Sequence, residues 1–97
     1  MKEHFYVYIL AKARNSTFYV GVTSGLVKRI WEHKQELAEG FTKKYGVKTL
    51  VYYEVFADAE NAFKREKRLK KWNREWKMRV IEKMNPDWQD LFDVITK

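Results

Sequence analysis

The chain has 97 residues, 45% of them hydrophobic and 16% aromatic, enough for one compact core; this excludes a disordered chain and predicts a single domain spanning residues 1–97. Lys and Arg outnumber Asp and Glu by 20 to 13, and the resulting charge of +7 creates a field that attracts a polyanion such as nucleic acid and would equally attract an anionic membrane surface. The absence of cysteine excludes a disulfide framework and a thiolate metal site, and no apolar run approaches the ~18 residues that a membrane span needs. Met1 to Ala13 has a superficial likeness to a signal peptide, but its apolar run is short, rich in tyrosine and preceded by Glu3, so a cytoplasmic protein with no membrane partner is expected.

In chain order, Phe5 to Leu10 and Thr17 to Val22 are β-branched and aromatic and flank Arg14-Asn15-Ser16, which predicts a β-hairpin. Thr23 or Ser24 is placed to cap a helix running to about Leu37, with Leu26, Ile30 and Leu37 as its apolar stripe and Gly40 as its stop. Residues 41–48 have no clear period and read as a basic loop. A third strand follows from Thr49 to Phe56. Asp58 is the expected cap of a long basic helix with Ala59, Ala62, Phe63 and Leu69 on one side, and Asn73 of a further helix with Trp76, Val80, Ile81 and Met84. Pro86 should break the chain before a last helix, Trp88 to Val94. Three strands with helices between and after them predict a small α+β fold.

Several residues break these patterns. Glu66 falls on the apolar stripe of the long helix, where an unpaired carboxylate is costly, so it should pair with a cation or bind a metal. Around it, Lys64 to Lys77 carries eight basic and two acidic residues with interleaved tryptophans, a pattern that suits phosphate contact and equally suits a solvated helical face over core tryptophans. Arg29 and His33, at i and i+4, share a helix side and could reach a common ligand. Their ordinary roles would be a salt bridge to Glu32, Glu36 or Glu66 and a hydrogen-bonded core histidine. Tyr8 and Tyr19 should emerge on one sheet surface, where paired tyrosines are usually packing residues. Gly21 suggests the close approach of a backbone or ligand.

Taken in order, Tyr6-Val7-Tyr8, Tyr19-Val20-Gly21-Val22-Thr23, Lys28-Arg29-Ile30 with His33, and Glu66 in a basic helix resemble the GIY-YIG endonuclease superfamily, over about Phe5 to Lys83. The length and the ending Asn85-Pro86-Asp87-Trp88-Gln89-Asp90-Leu91 are similar to small stand-alone bacterial proteins of that superfamily, related to the N-terminal cleavage domain of the excision-repair endonuclease. Tyr6 stands where the motif has its first glycine, and Val7 and Val20 replace its isoleucines; the tyrosines and second glycine are retained.

The resemblance implies a three-stranded antiparallel sheet flanked by helices and a metal-dependent endonuclease acting on DNA, with RNA a second candidate, in repair or recombination. It implies that Glu66 anchors Mg²⁺ or Mn²⁺, Tyr19 is the general base, Arg29 stabilises the phosphate, His33 orients or relays the tyrosine proton and Tyr8 positions water or substrate. A phenol near pKa ~10 needs nearby positive charge to act as a base near neutrality. Lys64, Arg65, Lys67, Arg68, Lys70 and Lys71 are the expected nucleic-acid contacts. A binding module that keeps the fold without cutting is the alternative.

Overall fold

The structure, a computed structural model, describes residues 4–13, 16–37 and 40–97, without the Phe41 side chain. The predicted hairpin is strand β1 (Phe5–Ala11) with strand β2 (Phe18–Thr23), and strand β3 (Thr49–Phe56) pairs antiparallel with the other side of β1, in the order β2-β1-β3. Arg14 and Asn15 of the expected turn lie outside the described residues. As the central strand, β1 has neighbours on both edges, and its residues from Val7 to Ala11 are buried on both faces.

The two faces carry different helices. Val7, Ile9, Ala11 and Val20 pack with Ala62 and Leu69 of helix α3 (Ala59–Lys71) and Ile81 of helix α4 (Arg74–Met84). Tyr8, Leu10 and Leu50 pack with Leu26 and Ile30 of helix α1 (Leu26–Lys34), and Ile95 of the short helix α5 (Phe92–Ile95) lies against this second cluster. The result is an α+β fold with a three-stranded antiparallel sheet between helices. Among the described residues no helix is long and apolar enough to cross a membrane.

A β-bulge interrupts the β1–β3 ladder: Ile9 opposes Tyr52 while Leu10 opposes Leu50, so Val51 is the extra residue. Its effect on side-chain direction is large. Val51 and Tyr52 both face the α3–α4 core, and Tyr53 falls on the same face as Tyr8 and Leu10, where unbroken alternation from Leu50 would have sent it to the opposite face. The backbone freed by the bulge is satisfied by the C-terminal segment. Leu50 N–H donates to Asp90 Oδ1 (3.3 Å), Leu91 N–H donates to the Leu50 carbonyl (2.8 Å), and Asn85 Nδ2 donates to the Val51 carbonyl (3.2 Å).

Asp58 and Asn73 cap α3 and α4 as expected, accepting from Asn61 N–H at 2.8 Å and Trp76 N–H at 2.9 Å. The first helix departs from expectation at both ends. Its N-cap is Gly25, because the Thr23 hydroxyl turns back to accept from Gly25 N–H (3.1 Å), and it stops at Lys34, leaving Leu37 62% exposed. Gly40, with φ of 86°, instead precedes helix α2 (Phe41–Tyr45) in the segment expected to be a loop. The 3.6-residue period needs a longer window than these five residues. Phe63 lies off its expected stripe and is 49% exposed. The last helix is Phe92–Ile95 rather than Trp88 to Val94, since Trp88 adopts φ of 55° to let Gln89 N–H reach Asn85 Oδ1 at 3.0 Å.

Asn85 is therefore a buried hub, and its amide also donates to the Gln89 carbonyl at 2.8 Å. Replacing it with leucine strands these partners, so Asn85→Leu should lose about 2 kcal/mol or more of stability. Urea unfolding followed by circular dichroism would register this as a lower midpoint at an unchanged slope.

Candidate active site

The site is built around a side chain that crosses a strand. Tyr8 on β1 is paired directly with Gly21 on β2, and a methyl group at Gly21 would sit 2.5 Å from both Cζ and Oη of Tyr8 and 3.0 Å from Cε2 of Tyr19. Only a residue without a side chain lets the Tyr8 ring lie across β2 in this way. What approaches Gly21 is thus this ring, rather than a backbone or ligand. The pairing of Leu10 with Tyr19 puts the second tyrosine on the same face, as alternation predicts, with ring centroids 6.2 Å apart.

His33, in the last turn of α1, completes an aromatic triad, its ring centred 5.8 Å from Tyr8 and 5.4 Å from Tyr19. Its Nε2 is 3.0 Å from the Tyr8 hydroxyl, and its Nδ1 is 2.9 Å from Oγ1 of Thr42 on α2. Burial, then the charge of Tyr19, holds the Tyr8 phenol well above the ordinary tyrosine range; the hydrogen bond and charge of Arg29 oppose this, and Glu66 adds to it. Burial, then the positive charge of Arg29, pushes His33 down to about 4, with Glu32 opposing. Both groups are therefore uncharged near neutrality. Because the Tyr8 phenol keeps its proton, we assign its O–H as donor to Nε2 and the Nδ1–H as donor to Thr42. Thr42 had no signal in the sequence, because its segment lacks a period.

Arg29 takes one of its expected ion-pair partners, Glu32, at 3.4 Å, and it also faces the Tyr8 hydroxyl, whose hydrogen bond is the main cause that raises its own proton affinity. Arg29, Lys28, Thr23 and Glu32 line an open depression of about 350 Å³ beside β2. Glu66 on α3 is 15% exposed and pairs with Lys70 at 3.1 Å across one helical turn, yet its charge still reaches Tyr8. Its lysine partner is half exposed, whereas the carboxylate is largely buried, so a cation that replaced Lys70 would have to keep Glu66 paired.

Of the expected nucleic-acid contacts, Lys64, Lys67, Arg68, Lys70 and Lys71 are exposed. Arg65 is turned elsewhere: its Nε donates to Glu54 at 2.9 Å and its guanidinium lies 5.0 Å from the centre of the Trp72 ring. Glu54 also accepts from the Tyr52 hydroxyl, so Arg65 belongs to a structural cluster under α3.

Two measurements probe this geometry. Gly21→Ala should cost about 1–3 kcal/mol through overpacking, and in a double-mutant cycle with Tyr8→Ala that cost should largely vanish. The second concerns acid. His33 titrates lower in the folded chain than its ordinary 6.5, so the unfolded chain takes up a proton first as pH falls; stability is full above 6.5 and declines down to about 4, by up to about 3 kcal/mol. Stability against pH for His33→Gln should lack that share of the decline, and identical curves for the two proteins would refute the assignment.

Comparison with known proteins bears on this arrangement. The chain matches the GIY-YIG catalytic domain over residues 4–79. A UPF0213 protein of Staphylococcus haemolyticus is 34% identical over 82 residues, covering 84% of this chain and 98% of that protein. A UPF0213 protein of Clostridium perfringens is 38% identical over 76 residues, covering 78% of this chain and 81% of its own length. The solution NMR structure of a UPF0213 protein of Bacillus halodurans superposes with a TM-score of 0.56 at 25% identity, covering 90% of this chain and 92% of that one. With the motif residues distributed over β1, β2, α1 and α3 as described, the chain belongs to the GIY-YIG family, whose catalytic domain has a nuclease fold.

Proposed function

We propose that the protein is a divalent-metal-dependent endonuclease that hydrolyses phosphodiester bonds in DNA. The observation that carries this reading is the gathering of Tyr8, Tyr19 and His33 with Arg29 on one side and the charge of Glu66 within electrostatic reach. Cleaving a phosphodiester needs an activated water, countercharge for the phosphoryl oxygens and help for the leaving oxygen.

Tyr19 is the general base in this reading. Tyr8 is poorly suited to that role, because it is 1% exposed, holds its proton tightly and has its hydroxyl engaged with His33. Tyr8 instead fixes the position of water or substrate, and His33, anchored on Thr42, fixes Tyr8. Arg29, beside the open depression, supplies positive charge to the phosphate. Lys64, Lys67, Arg68, Lys70 and Lys71 hold the flanking backbone. RNA presents the same phosphodiester and is the competing substrate in the test.

The donor set bears on the metal. Among the described residues no group of three or more His, Asp or Glu converges, which does not suit a metal held wholly by protein. A lone carboxylate, Glu66, suits Mg²⁺ or Mn²⁺, whose remaining positions are filled by water and phosphate oxygens. When bound, the ion would neutralise charge developing on the phosphate.

Purified protein incubated with supercoiled, branched and single-stranded DNA, and with RNA, should cut at least one DNA form with Mg²⁺ and none with EDTA. Arg29→Ala and Glu66→Gln should each reduce the rate by ~10²–10³-fold or more, and Tyr19→Phe should do likewise. Unchanged rates in these variants would remove the site assignment. Salt-dependent DNA binding without cleavage of any substrate would favour a non-cutting module instead.

A further inference from the structure

Next to the depression that Arg29 lines, on the other side of Ser24, Gly25 and Lys28, lies a second cavity of about 480 Å³. Its remaining walls are Tyr6, Tyr53, the first turn of α1 and Ile95 of α5. That volume lies within the ~300–1,000 Å³ typical of small-ligand sites. Tyr6 and Tyr53 are half-buried, and their hydroxyls have no hydrogen-bond partner among the described residues. Lys28 on the shared wall is exposed and has no ion pair among the described residues. None of these residues has a role in the proposed reaction.

Two features of the sequence place the tyrosines here. Tyr6 occupies the position at which the GIY-YIG motif has its first glycine, so the ring is an addition to the motif. Tyr53 reaches this face only because the Val51 bulge inverts the alternation of β3. Tyr8 opposes Tyr53 and Tyr6 lies two positions away on the same strand, so the two rings are diagonal neighbours on one sheet face.

We infer that the Tyr6–Tyr53 cavity is a subsite for an unpaired nucleobase flanking the scissile phosphate, with Lys28 holding the intervening phosphate between it and Arg29. The inference rests on the phosphodiesterase reading for its register and deepens it. A base enters such a cavity only when it is out of the duplex stack, so the substrate class is a nucleic acid with an unpaired or extruded nucleotide beside the cut. Aromatic faces stack on any base, so no sequence preference is required.

The test uses the full chain and three short DNA duplexes: one with a single unpaired 2-aminopurine, one with an abasic site in its place, and one fully paired. Kd is measured by anisotropy in EDTA, so that no cleavage intervenes. The 2-aminopurine duplex should bind about tenfold more tightly than the abasic one, with its emission quenched by stacking. Tyr6→Leu and Tyr53→Leu should each abolish that preference while leaving affinity for the abasic duplex and Tm unchanged, whereas Tyr6→Phe and Tyr53→Phe, which keep the ring, should retain it. Equal binding of the 2-aminopurine and abasic duplexes by the wild type, or a preference that survives both leucine variants, would overturn the subsite. Cleavage with Mg²⁺ is scored separately: cutting without base preference removes only the subsite, and base preference without cutting removes only the phosphodiesterase reading.

Discussion

The packing of the Tyr8 ring against the bare backbone of Gly21 is the constraint on which the rest of the site depends. A tyrosine on the central strand of a sheet would ordinarily be confined between its neighbours. Here the missing side chain on β2 lets it extend far enough to meet His33 from α1 and the field of Glu66 from α3, two helices otherwise separated by the sheet. The His33 bond to Thr42 then ties α2 to the same point. One absent methyl group thus lets β1, β2, α1 and α2 meet at a single point. Interior packing is dense enough that small changes of this kind propagate.

The charges around this point work against one another in a productive way. Burial keeps both Tyr8 and His33 neutral, and Arg29 reinforces the neutrality of the histidine while weakening that of the tyrosine. The phenol and imidazole are consequently a hydrogen-bonded frame rather than an ion pair. The basic surface is also more selective than the overall charge of +7 suggests. Arg65 is committed to Glu54 and Trp72, and Lys34 to Asp90 and the Lys48 carbonyl, so neither is free to meet a phosphate as the exposed Lys28, Lys67, Arg68 and Lys71 are.

Much of this was legible in the sequence, for identifiable reasons. The strands announce themselves by β-branched and aromatic runs, and Asp58 and Asn73 by capping chemistry that acts over three residues. The shared face of Tyr8 and Tyr19 follows from alternation within a hairpin. What failed were features decided by distant partners. The pairing of Lys34 with Asp90 at the end of α1 and of Arg65 with Glu54 depends on residues brought near only by folding, whereas helix 41–45 is too short to show its period. The bulge at Val51 is the clearest case, because strict alternation assigns Tyr53 to the wrong face and so conceals its proximity to Tyr6.

That bulge has a consequence for how the molecule comes into being. Its exposed backbone is satisfied by Asn85, Asp90 and Leu91, residues 34 to 41 positions later in the chain, and Asp90 simultaneously holds Lys34 at the end of α1. During synthesis the strands and the first helix emerge well before the segment that locks them. That later stretch is therefore the clasp over the bulge, and a nascent chain halted before Asn85 carries every motif residue while the Leu50 and Val51 backbone groups still lack these partners.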